Sequence, residues 1–171
     1  MTTISTVLTA LQTSAVNLLS ADNFFNGTAS PNGKQVPIVT ETRGSIPEQI
    51  QLCLAQVGIA VLVMTPGFTF HVPMSDDLSG YASLTIGLYE DATINQSPQG
   101  VDITAIQLAE RTLCVLQWAQ HGVFAAATAP EPTAATRFLG TVTPLAFVGL
   151  GPPLQYNVNF QAHLTLNATY Q

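Results

Sequence analysis

The stretch Leu154-Gln155-Tyr156-Asn157-Val158-Asn159-Phe160-Gln161-Ala162-His163-Leu164-Thr165-Leu166-Asn167 is apolar at every even position and polar at every odd one. A period of two is that of a β-strand, whose successive side chains leave on opposite faces. Alternation this long predicts one face on a core and one face off it, since a one-residue slip would exchange the two sets. At about 3.3 Å per residue the strand would be on the order of 45 Å long, more than a domain of this size needs internally. Its polar positions, Gln155, Asn157, Asn159, Gln161 and His163, include none of the Lys or Glu residues that usually blunt an exposed strand. That predicts cover from a neighbouring chain, and these five residues are the first candidates for an assembly interface.

Residues 81–90 repeat the pattern, with Ala82, Leu84, Ile86 and Leu88 on one face and Ser83, Thr85 and Gly87 on the other. Residues 59–64 are a continuous apolar run, which predicts a central strand buried on both faces. Thr65-Pro66-Gly67 interrupts it, and 68–72 continue it or return as a hairpin arm. A short strand is expected at 38–42, with Pro37 at its head where a missing N–H does least harm. Another lies within 136–149, ahead of the turn Gly151-Pro152-Pro153. Residues 74–79 read as polar loop.

Three segments have helical spacing. In 3–19, Ile4, Val7, Leu8, Leu11, Leu18 and Leu19 recur at three- and four-residue steps. Ser45-Ile46-Pro47-Glu48 reads as a capped helix start, with Ile50, Cys53 and Leu54 inward and Gly58 as the stop. Over 102–120, Asp102 is the expected cap, Ile106, Ala109, Leu113 and Leu116 the inner face, and Glu110 and Arg111 the outer. Between them lie the turn-rich loop 22–37, a polar loop 91–101, and an Ala-, Thr- and Pro-rich segment 121–135 without periodicity.

Composition narrows the function. The 171 residues are 47% hydrophobic but only 8% charged, with a net charge of -6. Disordered chains combine low hydrophobicity with high charge, so this chain is globular and of one-domain length, 1–171. Lys34, Arg43, Arg111 and Arg137 are too few and scattered for a basic face, which excludes non-specific nucleic-acid binding. No apolar run reaches the roughly 20 residues of a membrane span. The N-terminal stretch lacks a leading cation and is broken by Gln12, Ser14 and Asn17, so a secretory leader is not expected. Cys53 and Cys114 read as buried free thiols of a reducing cytoplasm.

No catalytic set emerges. His71, His121 and His163 are isolated, no Cys pair has zinc spacing, and Asp76-Asp77 has the character of a solvated turn. Glycines nowhere form a phosphate cradle ahead of a helix. The reading is of a protein without enzyme activity, cofactor or metal. Phe24-Phe25 and Trp118 read first as core anchors. Phe24 and Phe25 also open the loop 22–37, and are the remaining interface candidates.

The order of elements resembles the tail-terminator (tail-completion) proteins of long-tailed bacteriophages. The likeness rests on the opening helix followed by Asn23-Phe24-Phe25-Asn26-Gly27 and on the strand at 59–64. It extends to Leu84-Thr85-Ile86-Gly87-Leu88-Tyr89-Glu90, the loop holding Asn95, the helix ending Leu116-Gln117-Trp118, and Tyr156-Asn157-Val158-Asn159-Phe160-Gln161. It implies an α+β fold, a mixed or antiparallel sheet with two to three helices packed on one face and a long C-terminal strand. It also implies a homohexameric ring, assembled in the bacterial cytoplasm and carried in the virion. Such a ring caps the tail tube, ends its polymerisation and meets a head-neck connector, with DNA only as passing cargo. Loops 22–37 and 121–135 would then be interface segments. The long Ala/Pro-rich segment and the scarcity of charge depart from the family pattern. The nearest alternatives are another neck or tail ring, such as a head-tail joining or tail-tube subunit, and then a secreted adhesin or pilin-like module.

Overall fold

The structure, a computed structural model, describes residues 4–41, 45–70, 78–118, 139–145 and 154–166. In chain order it runs α1 (Ile4–Ala21), β1 (Ile38–Thr40), α2 (Ile46–Val57), β2 (Ile59–Val63), β3 (Gly67–Phe70), β4 (Leu78–Glu90), a single turn α3 (Ala92–Asn95), α4 (Ala105–Trp118), β5 (Leu139–Leu145) and β6 (Leu154–Leu166). The strands form one six-stranded sheet in the order β1-β2-β4-β6-β5, and β3 pairs with the part of β4 that β2 leaves free. The fold is α+β with a mixed sheet. Among the described strands only β1 and β2 are parallel, and α2 supplies the crossover that parallel neighbours require.

The ladder between β4 and β6 is the spine. It runs antiparallel from Leu78 opposite Leu166 to Glu90 opposite Leu154, along the whole of both strands. β4 therefore begins at Leu78, inside the expected polar loop 74–79, because its partner strand is long enough to pair it. Opposed residues share a face, so Leu84 meets Phe160 and Ile86 meets Val158, all four buried. Leu11, Ala15 and Leu19 of α1 and Leu108, Ala109 and Leu116 of α4 close over this face as the main core. Steps of four in α1, and of one and seven in α4, each keep the set on a single stripe of the helix, the stripe it presents to a sheet.

β2 is buried on both faces, as its unbroken apolar run requires. Ile59, Val61 and Val63 join the main core, while Ala60 and Leu62 join Val39, Ile50 and Leu54 under α2. The helices are therefore not all on one face: α1 and α4 share one, and α2 covers the other at the β1–β2 end. The parallel crossover puts it there.

Three local expectations are corrected. Asp102 does not cap α4; its backbone is left-handed at φ 58°. Thr104 caps instead: the Gln107 N–H donates to its hydroxyl and its own N–H donates to the Gln107 side-chain oxygen, a reciprocal capping box. The helix starts later and its inner face shifts, so Ile106 is 41% exposed while Ala105 and Thr112 are buried. The Ser45 hydroxyl makes no cap bond, although α2 still starts at Ile46 with proline in its first turn and ends at left-handed Gly58. Neither Cys is fully buried: Cys53 is half-buried and Cys114 exposed, and both are free thiols.

Phe160 tests the face assignment. Replacing it with Ala removes a fully buried ring from the ladder and is expected to lower stability by about 3–5 kcal/mol in urea unfolding. A loss below 1 kcal/mol would place the even face of β6 outside the core.

Candidate assembly interface

The odd positions of β4 and β6 lie on the face that α2 leaves open. By register Ser83, Thr85, Gly87 and Tyr89 stand opposite Gln161, Asn159, Asn157 and Gln155, and β5 sets Thr141 and Thr143 beside Asn159 and Asn157. None of these positions carries Asp, Glu, Lys or Arg. The Thr85 hydroxyl donates to the Asn159 side-chain oxygen at 2.9 Å, and the Gln155 amide donates to the Tyr89 hydroxyl at 3.2 Å and the Asn157 oxygen at 3.4 Å. Gln155, Asn157 and Asn159 are half-buried and Gln161 is exposed. Thr85, Tyr89, Gln155, Asn157 and Asn159 thus share hydrogen bonds within the sheet, which lowers the cost of covering them with another surface. Burial raises the Tyr89 phenol above its usual range. The face is polar, flat in chemistry and uncharged.

The structure brings four of the sequence-selected residues together here: Gln155, Asn157, Asn159 and Gln161. His163 follows in β6 opposite Tyr81, its side chain outside the described set. Phe24 and Phe25 lie elsewhere. Phe25 is 1% exposed and belongs to the main core, so it is not an interface residue. Phe24 is half-buried and packs on the core, with the Arg111 guanidinium 5.4 Å over its ring. The loop 22–37 that carries them is tied down. The Phe24 N–H donates to Asp22, the Val36 N–H to the Phe25 carbonyl, the Ser30 hydroxyl to the Val101 carbonyl, and the Asn32 amide to the Gly100 carbonyl. Gly27, at φ 90°, sits so close to Lys34 that a Cβ would stand 2.9 Å from its backbone. These contacts hold the segment in place against the body of the fold. Residues 121–135, with His121, lie outside the described residues, as do His71, Asp76 and Asp77.

Two features were missed in the sequence. Arg111, expected to face solvent, grips Asp22 through its Nε and a 2.6 Å bond from its terminal nitrogen, clamping α4 to the end of α1. Glu90, at the end of an alternating strand, is 3% exposed. Its carboxylate accepts the Asn95 amide at 2.6 Å and the Ala105 N–H at 2.8 Å, at the N-terminus of α4 where a negative charge is favoured. Asn95, fully buried, also donates to the Ile103 carbonyl and accepts the Asp102 N–H. Asn95 was visible only as a polar residue in a loop. The acid that needs it is five positions earlier, and nothing in the local spacing marks the pair.

Among the described residues no three His, Cys, Asp or Glu side chains come together as a metal site, and no helix is long and apolar enough to cross a membrane. In comparison with known proteins, the chain matches no family model and no curated protein.

The Arg111 clamp is pH-dependent. Burial by itself would raise the Asp22 carboxyl, but the Arg111 hydrogen bonds, the Phe24 N–H and the Arg111 charge outweigh it and hold the group below its ordinary range. A lowered folded value gives stability that is present above the unfolded carboxylate range, near pH 4, and lost as pH falls through the folded value. Asp22→Asn keeps the acceptor for Phe24 and is expected to cost on the order of 1 kcal/mol at neutral pH. The difference from the unchanged protein should shrink in urea titrations run progressively below pH 4. An equal gap at both ends would remove the charge from the explanation.

Proposed function

We propose that the chain is a subunit of a homo-oligomeric ring that caps a bacteriophage tail tube, ends its growth and joins the tail to the neck. The observation that carries this reading is the uncharged, partly hydrogen-bonded face of β4 and β6, running beside β5; among the described residues only its Tyr89 end packs with a helix, α2. A soluble monomer gains from charge on such a face; a surface destined for burial against another copy loses by it, since each buried charge needs a partner. The element order supports the same reading: an opening helix, a framed Phe-Phe-Asn-Gly loop, an amphipathic central strand, a capped helix and a long last strand. Gln155, Asn157, Asn159 and Gln161 are the proposed contact, and Phe25, buried in the core, takes no part in it. The ring's other faces would meet the tail-tube protein and a head-neck connector. Enzyme activity and bound cofactors form no part of the proposal, and DNA is cargo.

Native mass measurement and negative-stain microscopy of the purified chain test it. A discrete ring at a small multiple of 18.1 kDa is expected. Gln161→Lys, at an exposed position, should leave the monomer folded and weaken the ring by placing an unpaired charge in the contact. A strict monomer sinks the reading, as does a ring untouched by that change. Open polymers growing with concentration would favour a tube subunit instead.

A further inference from the structure

Beside the open face lies a second feature of different chemistry. A groove of about 500 Å³ runs between α2 and the sheet. Its wall on the helix side is Ile46, Ile50 and Leu54, and its floor is Leu62 and Met64. The far wall is the Tyr89 ring, which folds back across Gly87 so closely that a Cβ there would stand 3.0 Å from it. The missing Cβ at Gly87 is thus what lets an aromatic ring line the groove. One end carries a carboxylate. Glu41 lies on the rim, half-buried, with one oxygen accepting the Thr65 N–H at 2.6 Å. Its other oxygen has no partner among the described residues.

An aliphatic trough with an aromatic wall and one anchored carboxylate has the complement of a cation on an apolar stem. Lys and Arg bury their methylene stems on apolar surface while the charged end seeks an anion or a ring face. Two of the chain's four cations, Lys34 and Arg111, are among the described residues. Both are already held: Lys34 by the Pro98 and Gln99 carbonyls, and Arg111 by Asp22. A net charge of -6 favours a partner of opposite sign.

We propose that this groove binds a segment of another protein in which a Lys or Arg sits beside two or three aliphatic residues, the aliphatic groups lying along α2 and against Tyr89 and the cation meeting Glu41. The site does not depend on ring formation, since a monomer carries the same groove.

The test uses two short synthetic peptides, one of Leu, Ala and Lys and one with Glu at every Lys position, titrated into isotope-labelled full-length protein followed by NMR. The Lys peptide should shift the amides of Ile46, Ile50, Leu54, Leu62, Met64 and Tyr89 first, and its affinity should fall with added salt. Glu41→Gln should weaken it roughly two- to fivefold, the scale of one partly exposed ion pair. Glu48→Gln, an exposed α2 residue away from the groove, should leave it unchanged. Equal binding of the Glu peptide, shifts centred elsewhere, or no effect of Glu41→Gln would each overturn the proposal.

Discussion

Every larger feature of this protein hangs on the register of β4 against β6. The two strands pair along their full length, so each odd–odd and even–even opposition is repeated from Leu78–Leu166 to Glu90–Leu154. A slip of one residue would drive Asn157, Asn159 and Gln161 into the core and expel Val158 and Phe160. The cost of burying those amides without partners holds the ladder in place. With the register set, the apolar face recruits α1 and α4, and the opposite face is left to whatever α2 does not cover. The core and the candidate interface are two sides of one constraint.

The ladder's end is secured by a different kind of force. Glu90 is taken out of water and compensated by the Asn95 amide and the first N–H of α4. That fixes where the helix begins relative to the strand. Close packing surrounds it: a Cβ on Gly58 or Gly100 would collide with the Asn95 backbone, so the turn that presents Asn95 has no slack. Removing the amide would strand a buried charge, which costs far more than an ordinary hydrogen bond contributes. Arg111 and Asp22 do lighter work of the same sort at the other side of α4, partly screened by water.

Periodicity carried most of the fold. The alternation at 154–166 and 81–90, the apolar run at 59–63 and the turn at Gly58 all stand where the sequence placed them, because each is a local consequence of side-chain order. What stayed hidden was non-local. Thr104 displaced Asp102 as the cap because Asn95 and the left-handed Asp102 backbone end the loop later than the polar pattern implied. α2 went to the opposite face because its two flanking strands are parallel, a fact that no single-segment period contains. Of the interface candidates, the polar β6 residues were legible as a face, whereas Phe25 was ambiguous: an aromatic next to Asn-Gly reads equally as a core anchor or an exposed contact, and only packing separates them.

The scarcity of charge takes on a definite location in this structure. Apart from buried Glu90, the long strands are uncharged on both faces, and the few described cations are already engaged. A ring subunit at the end of a tail would have this character, its polar face reserved for the next copy. The proposed role is tested most directly by the distribution of tail lengths in the phage that the proposal implies, with the gene for this chain removed. Tails of unregulated length, not joined to heads, are the predicted result. Tails of normal length attached to filled heads would contradict it.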